Sequence, residues 1–333
     1  MKEHLMRIWR FHEFGPIENL QLDEVPTPEP GADESLVELE YAALNPADKF
    51  LVNKMYPRPG KPPMAVGRDG SGRIVKPGNS GRFKEGDSVV ILRSDIGVRR
   101  DGTLAEFVTV PEESLAPLPD GWSFEEGAAA PLVHLTAWRA LVHQGEIHPG
   151  QTVLVTGSSG GVGTAAIQLA KAFGCRVFAM SRKEEKRKEL LDLGADHALD
   201  SSDPGKMEEE AKAILGEERV HLVVENLGGP FLQTSINLSG EHGRILVIGL
   251  LAGLKSEIVL GQIIFKQTRI EGVQVGAWTA EEAQIAWAGI VEKLDASNQR
   301  PVIDQVFPFE EVQEAFTRLD EGPLGKVLVR VKD

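Results

Sequence analysis

Four glycines in the middle of the chain are spaced as in a phosphate-binding turn. Residues 152–174 read TVLVTGSSGGVGTAAIQLAKAFG, with an apolar β-branched run first and a helical apolar pattern from Thr164 onward. This order predicts a buried strand, a glycine turn and a helix that ends at Gly174. Glycine has no Cβ, so the turn can approach another group closely, and the N–H groups and dipole of the helix start suit a pyrophosphate. A Gly/Ser-rich surface turn is the alternative. The predicted dinucleotide contacts in this turn are Ser159, Gly160, Gly161 and Val162.

The end of the next predicted strand, residues 176–180, indicates which dinucleotide binds. In NAD-binding proteins an acid about 20 residues past the glycines binds the ribose hydroxyls. This chain has Ser181, Arg182 and Lys186 there, a hydroxyl, a guanidinium and an ammonium group. Such groups suit the 2′-phosphate of NADPH, so the sequence predicts NADPH. A solvated basic helix start is the alternative, because two glutamates follow directly.

Strands and helices alternate from about Phe124 onward, which predicts a parallel sheet with crossover helices. We expect residues 125–141, which are Ala-rich, to be helical before the glycine turn. Ligands of such sheets gather at the carboxyl ends of the strands. Backbone contacts to the ribose and nicotinamide are therefore predicted at four residues that end strands: Asn226, Leu227, Gly249 and Leu250.

Residues 1–122 contain many short strands separated by Pro and Gly, the pattern of a small β-barrel. The tail shows one helix and then a closing strand in which Val327, Val329 and Val331 alternate, and we expect it to return to the first domain. The predicted division is 1–122 with 298–333 as one domain and 123–297 as the nucleotide-binding domain.

Composition narrows the class of protein. The 333 residues carry a net charge of −14, which argues against nucleic acid or an anionic membrane as the main partner. The one cysteine, Cys175, excludes an intrachain disulfide and a cysteine-based zinc site, and a buried, inert thiol is expected. The first fifteen residues lack the apolar core of a signal peptide, and the most apolar run is too short to span a bilayer. A cytoplasmic protein is predicted.

The order of these features resembles the medium-chain dehydrogenase/reductase superfamily, and most closely its zinc-free quinone oxidoreductase and enoyl/enone reductase branch. The resemblance covers essentially the whole chain. It rests on Asn45-Pro46-Ala47-Asp48, Gly67-Arg68-Asp69-Gly70-Ser71-Gly72, Gly102-Thr103-Leu104-Ala105-Glu106-Phe107, His134-Leu135-Thr136-Ala137, the VLVTGSSGGVG run, Asn226-Leu227-Gly228-Gly229 and Gly325-Lys326-Val327. It implies an α/β protein with a doubly wound Rossmann sheet and a GroES-like β-barrel catalytic domain. It also implies a homodimer or homotetramer assembled through the Rossmann sheet edge.

A rival family shares the glycine turn. Thr156-Gly157 with Gly161 and Gly163 is the TGxxxGxG pattern of short-chain dehydrogenases, which also need a tyrosine followed four residues later by a lysine. The two tyrosines are followed at that distance by Asn45 and Gly60, so this interpretation fails.

The resemblance also implies that no zinc takes part. Zinc-dependent relatives place a cysteine ligand where residues 45–48 lie and a Gly-His-Glu where this chain has Gly67-Arg68-Asp69. A catalytic zinc takes three protein ligands, and the eight histidines show no clustered spacing that would replace them.

The resemblance implies roles for four residues outside the glycine turn. Tyr56 follows the Asn-Pro-x-Asp motif at the spacing of the tyrosine in GxYP stretches of enoyl reductases, although Lys54-Met55 replaces part of that stretch. It is the candidate polariser or proton donor, and a loop tyrosine packed on prolines is the alternative. Asn45 is the candidate orienter of the nicotinamide ribose or the substrate oxygen, with an Asx turn as the alternative. Thr136 and Lys326 match family positions near the cofactor; a surface lysine is the alternative for the latter.

Alcohol oxidation needs a Lewis acid or a base, whereas an electron-poor acceptor delocalises the charge that hydride transfer creates. We therefore predict hydride transfer from NADPH to a quinone or to the activated C=C of an enone or enal. The alternatives are an alcohol dehydrogenase-like or enoyl-CoA reductase activity, and a non-catalytic NADPH-binding protein.

Overall fold

The computed structural model describes residues 4–332. Within this range the strands are β1 Leu5–Phe11, β2 Leu20–Pro26, β3 Glu34–Ala43, β4 Asp69–Lys76, β5 Ser88–Ile91, β6 Phe107–Pro111, β7 Leu115–Pro117, β8 Thr152–Val155, β9 Arg176–Ser181, β10 His197–Asp200, β11 Val220–Glu225, β12 Ser239–Val247, β13 Arg269–Gly272, β14 Ile303–Pro308 and β15 Lys326–Arg330. The α-helices are α1 Pro46–Val52, α2 Phe124–Ala129, α3 Pro131–Trp138, α4 Gly161–Ala172, α5 Glu184–Asp192, α6 Pro204–Leu215, α7 Pro230–Leu238, α8 Leu260–Lys266, α9 Ala280–Ala296 and α10 Val312–Asp320.

The chain forms two compact units. The described residues of the first fall within Met1–Leu132, Gly276–Trp287 and Pro301–Asp333, and the second comprises Val133–Val275 and Ala288–Arg300.

The second unit is built on a six-stranded parallel sheet in the order β10-β9-β8-β11-β12-β13. The chain proceeds outward from β8 to β10, then returns to the other side of β8 and proceeds outward again to β13. The order therefore reverses between β8 and β11, and open parallel sheets bind ligands at such a point. All four residues of β8 are buried, as its apolar sequence predicts.

The first unit is built on a seven-stranded sheet around β3. The main order is β14-β15-β3-β4-β5-β7, and β6 pairs with the first half of β3. Val37 and Leu39 of β3 are fully buried, because the alternating pattern sends these side chains into the core. The closing strand β15 pairs antiparallel with β3, which confirms that the tail returns to the first part of the chain.

The stretch predicted to be helical over 125–141 is helical, but it is not one continuous helix. It is divided into α2, α3 and a wider π-helical turn, Arg139–Gln144. Pro131 explains the break, because a proline has no N–H with which to continue the hydrogen-bond ladder of α2.

Helix α4 begins at Gly161, three residues before the predicted start. Two early glycines have low helix propensity and concealed this first turn. Helices α7, α8 and α9 were not predicted.

Cys175 is buried, and burial raises the pKa of its thiol, in agreement with the expected inert cysteine. None of the helices between residues 4 and 332 has the length and apolar character that a bilayer crossing needs. Met1, Lys2 and Glu3, on which the signal-peptide interpretation partly rests, lie outside the described residues. The cytoplasmic location stays a prediction.

Candidate active site

The glycine turn after β8 leaves open space at the start of α4. Gly157 has a φ of +58°, a left-handed conformation that suits glycine. A Cβ on Gly163 would lie 2.5 Å from the Gly157 carbonyl oxygen, so only glycine lets the helix pack this close to the turn. A Cβ on Gly160, by contrast, would meet only that carbonyl, at 3.6 Å. Gly160 caps the helix without a side-chain hydrogen bond, so no N-cap side chain takes up the first-turn N–H groups of α4, and such a helix start suits a pyrophosphate.

A serine that the sequence analysis did not single out holds the turn in place. Ser158 Oγ donates to the Val155 carbonyl at 2.6 Å and accepts from the Met180 N–H at 2.8 Å. The side chain is fully buried, so it fastens the turn to both β8 and β9. Ser159, Gly160, Gly161 and Val162 are left partly accessible beside it.

A buried glutamate organises the carboxyl end of β11. Glu225 Oε1 accepts from Thr156 Oγ1 at 2.9 Å and from the N–H groups of Leu227 and Gly228 at 2.9 and 3.0 Å. Its Oε2 accepts from Ser235 Oγ at 2.6 Å. Glu225 is 0% exposed, and its four donors shape the loop that the sequence predicted to contact cofactor. The sequence does show Glu225 as an acid at the end of an apolar strand, but its role in holding this loop was not predicted.

Three of the predicted strand-end residues lie next to this carboxylate or to the turn. The Asn226 amide donates to the Thr156 carbonyl at 2.7 Å, so it joins β11 to β8. Leu227 is fixed through its N–H to Glu225. A Cβ on Gly249 would lie 2.3 Å from the Asn226 carbonyl, so glycine is required there. Leu250 is 44% exposed at the same end of the sheet. Cofactor contacts at these positions stay predictions.

The tip of β9 carries more positive charge than the sequence analysis recognised. Ser181 is buried, Arg182 is exposed and Lys186 is half-buried at the start of α5. Arg187 donates to the carbonyls of Ser181 and Arg182 at 3.0 and 3.3 Å, and lies 3.6 Å from Asp200. Arg187 therefore stabilises the β9 tip through these contacts. The exposed Arg182 side chain makes none of them.

Thr136 is buried in α3, beside His134. The Nε2 of this histidine lies 3.2 Å from Gln168 Oε1, whose amide nitrogen donates to the Arg300 carbonyl. His134 is 1% exposed, so it packs within the second unit.

A buried polar network forms the candidate site of the first unit. Asn45 Nδ2 donates to Asp69 Oδ2 at 2.8 Å, and Lys326 Nζ donates to Asn45 Oδ1 at 2.7 Å. Lys326 also donates to Asp69 Oδ2 at 3.0 Å and to the Leu44 carbonyl at 2.9 Å. The interpretation of Lys326 as a surface residue is wrong, because it is 3% exposed. An ammonium group has three donors, and all three are used inside the protein. Its predicted contact to cofactor is untested.

Asp48 lies beside this network at the third position of α1. Its Oδ2 accepts from the Asn45 N–H at 2.8 Å, while its Oδ1 has no hydrogen-bond partner among the described residues. Burial raises the pKa of Asp48 to about 6, against the opposing attraction of Arg68 and Lys326. The Asx turn proposed for Asn45 is replaced by this capping interaction with Asp48.

Tyr56 and Arg68 meet outside this network. Arg68 Nη1 donates to Tyr56 Oη at 3.1 Å, and the guanidinium carbon lies 5.6 Å from the centre of the phenol ring. The ring packs partly buried against the core of the first unit, and Arg68 is 8% exposed. The tyrosine therefore has an arginine partner that the sequence did not indicate.

No group of three or more His, Cys, Asp or Glu that could hold a metal ion occurs among residues 4–332. At the positions where zinc-dependent relatives place ligands, Asp69 is instead paired with Lys326, and Arg68 binds a tyrosine hydroxyl.

Comparisons with known proteins agree with this geometry. Residues 31–120 match an alcohol dehydrogenase GroES-like domain, and residues 161–292 match a zinc-binding dehydrogenase family. The chain is 31% identical over 331 residues to a quinone oxidoreductase from Pongo abelii, covering 98% of each. It is 32% identical over 340 residues to an acryloyl-coenzyme A reductase from Sulfurisphaera tokodaii, covering 95% of this chain and 98% of the relative. A solved mycobacterial protein complexed with NADPH is 25% identical with a TM-score of 0.88, covering 98% and 100%.

A parallel sheet with a glycine turn in one unit and a GroES-like β unit in the other define an oxidoreductase that uses a nicotinamide cofactor. The chain belongs to the medium-chain dehydrogenase/reductase superfamily. The predicted family and the predicted α/β fold class are confirmed.

Proposed function

We propose that this protein is an NADPH-dependent, zinc-independent reductase of quinones or of activated C=C bonds. The observation that carries the proposal is the buried pair of Lys326 and Asp69, because Asp69 lies in the stretch where zinc-dependent relatives have Gly-His-Glu. With an ammonium group 3.0 Å from its carboxylate, Asp69 has its charge balanced without a metal ion.

The cofactor would be held by the second unit. Ser159 and Gly160 of the glycine turn, with Gly161 and Val162 at the start of α4, would hold the pyrophosphate, and Ser181, Arg182 and Lys186 would hold the 2′-phosphate. Asn226, Leu227, Gly249 and Leu250 offer backbone contacts to the ribose and nicotinamide, and Thr136 of the same unit is a further proposed contact. The absence of an acid between Ser181 and Lys183 at the β9 tip supports NADPH over NADH.

NADPH, when bound, supplies the hydride. The protein residues must then align the acceptor and supply a proton to the anion that hydride addition leaves on it. Tyr56 is the proposed donor: its hydroxyl proton goes to the enolate or the hydroquinone oxygen, and the phenolate is reprotonated from water. The acceptor thus gains one hydride and one proton.

Two other enzymatic activities remain as alternatives. The likeness to an acryloyl-coenzyme A reductase favours an enoyl thioester as the acceptor, since its C=C is also conjugated to a carbonyl. An alcohol dehydrogenase-like activity has less support, because Asp69, in the stretch where zinc-dependent relatives have Gly-His-Glu, is paired with Lys326. A non-catalytic NADPH-binding role is the third alternative.

We also propose that two copies associate through β13 as a homodimer, or as a homotetramer built from such dimers. Strand β13 is the edge of the sheet, and α8 buries none of its residues. Phe265 and Ile264 of α8 are 84% and 68% exposed, an apolar surface that a partner would cover. In an antiparallel pairing centred on Ile270, Arg269 of one copy would oppose Glu271 of the other, which favours self-association.

The deciding experiment measures NADPH and NADH oxidation with 1,4-benzoquinone, 9,10-phenanthrenequinone, a short enone and crotonyl-coenzyme A, with and without EDTA. Turnover that prefers NADPH and is insensitive to EDTA supports the proposal, and the preferred acceptor defines the branch. Loss of activity in EDTA would contradict zinc independence. Tight NADPH binding without turnover of any acceptor would favour the non-catalytic role.

A further inference from the structure

We propose that Arg68 is a positioning residue that directs the Tyr56 hydroxyl proton toward the acceptor. The inference rests on the proposed function and deepens it. Arg68 Nη1 lies 3.1 Å from Tyr56 Oη. A guanidinium carries only donors, so the phenol oxygen must accept this hydrogen bond. The hydroxyl proton of Tyr56 then points to another acceptor.

The arginine is held rigidly enough for such a role. Its neighbour Gly67 has a φ of +100°, and the Gly67 carbonyl accepts from the Thr103 N–H at 3.0 Å. On the other side, Thr103 Oγ1 donates to the Asp69 carbonyl at 2.8 Å. The backbone is therefore fixed on both sides of a side chain that is 8% exposed.

The loop that carries Tyr56 has a left-handed backbone conformation two residues before and two residues after the tyrosine. Lys54 and Arg58 have φ values of +57° and +52°, conformations that cost free energy for residues with a Cβ. The ring packs against the core of the first unit. The Arg68 hydrogen bond and this packing give the strained loop one defined position for the hydroxyl.

The positive charge of Arg68 also fits the proton transfer. When the O–H bond breaks, its electron pair stays on Oη, and the adjacent guanidinium stabilises that negative charge. The proton goes to the acceptor anion, and water later returns a proton to Oη. Asp48 attracts Arg68 electrostatically from the α1 side, which helps to keep the guanidinium in place.

The test is a double-mutant cycle on Tyr56→Phe and Arg68→Met, with Arg68→Lys as the conservative variant. Arg73→Met is the matched control, since Arg73 lies on β4, the strand that directly follows Arg68, and donates to Ser88 rather than to Tyr56. For each protein we would measure kcat and KM with NADPH and the best acceptor, the NADPH Kd by fluorescence, and the melting temperature.

We expect Arg68→Met to lower kcat by about 10-fold or more, with the NADPH Kd unchanged, and Arg68→Lys to recover part of the loss. In the Tyr56→Phe background, Arg68→Met should change kcat by less than about two-fold, because the hydroxyl on which it acts is gone. Equal losses in both backgrounds would overturn the inference and leave the proposed function standing. An unchanged kcat in Tyr56→Phe would overturn it together with the assigned proton donor, and a wild type inactive on every acceptor would overturn the proposed function itself.

Discussion

Lys326 Nζ lies 3.0 Å from Asp69 Oδ2, and the two side chains are only 4% and 1% exposed. The pair joins the last strand of the first unit to the start of β4. Charges buried this deeply are tolerated because each has several hydrogen-bond partners, including Asn45 and the Leu44 carbonyl for the lysine. The pair is therefore a structural link within the buried polar network of the first unit.

Replacing Lys326 with Met should destabilise the protein by about 3–5 kcal/mol, because it leaves Asp69 buried without a countercharge. Lys332→Met is the control, since Lys332 forms an exposed ion pair with Glu38 and should cost less than about 1 kcal/mol. Urea unfolding of both variants measures the difference. Similar losses of unfolding free energy in the two variants would show that the buried ion pair contributes little to stability.

Asp48→Asn should change how stability depends on pH. Burial raises the pKa of Asp48 from 3.8 to about 6, so the folded protein binds this proton more tightly than the unfolded chain. The stabilisation is complete below about pH 4 and is lost as the pH rises to about 6. The groups around it are Arg68, Lys326 and Asp69.

Because asparagine does not titrate, the stability of the variant relative to wild type should rise by roughly 2–3 kcal/mol between pH 4 and 7. Urea unfolding at several pH values in this window tests it. If the unfolding free energies of the two proteins changed in the same way with pH, Asp48 would not have the raised pKa in the folded protein.

The double variant Arg182→Ala and Lys186→Ala should bind NADPH about 10- to 100-fold more weakly, since charged hydrogen bonds to the 2′-phosphate are lost. Its NADH Kd should stay within about two-fold. Lys188→Ala, on the exposed side of α5 next to Glu184, is the control and should bind both cofactors normally. If the variant bound NADPH and NADH equally weakly, Arg182 and Lys186 would not bind the 2′-phosphate.

Phe265→Glu should shift the protein toward the monomer, because a charge would enter the proposed apolar interface. Leu191→Glu, on the 44% exposed Leu191 of α5, should leave the assembly intact. Sedimentation velocity at several concentrations distinguishes the two outcomes. A wild type that is monomeric throughout, or a Phe265 variant that still associates, would contradict assembly at this surface.

Local patterns were sufficient for the main elements of the fold. The apolar run of β8, the glycine turn and the alternating β3 were predicted because their signals lie within about ten residues of sequence. The helical stretch over 125–141 was predicted from its Ala-rich pattern, and its division at Pro131 was not. Helix α8 was missed because Leu260, Ile264 and Phe265 are exposed and Ile263 packs only partly against the core, so the helix lacks the apolar periodicity of a buried face.

The sequence by itself determined the chemical types at the site: glycines at the turn, bases and no acid at residues 181–183 of the β9 tip, and no zinc-ligand set at residues 45–48 and 67–69. Only the tertiary structure decided that Lys326 is buried against Asp69, 257 residues away, and that Glu225 holds Thr156, 69 residues away. It also decided that Arg68 faces Tyr56. The physical reason is that such pairings depend on how strands align within a sheet and how loops are bent, and no local pattern of residues encodes either.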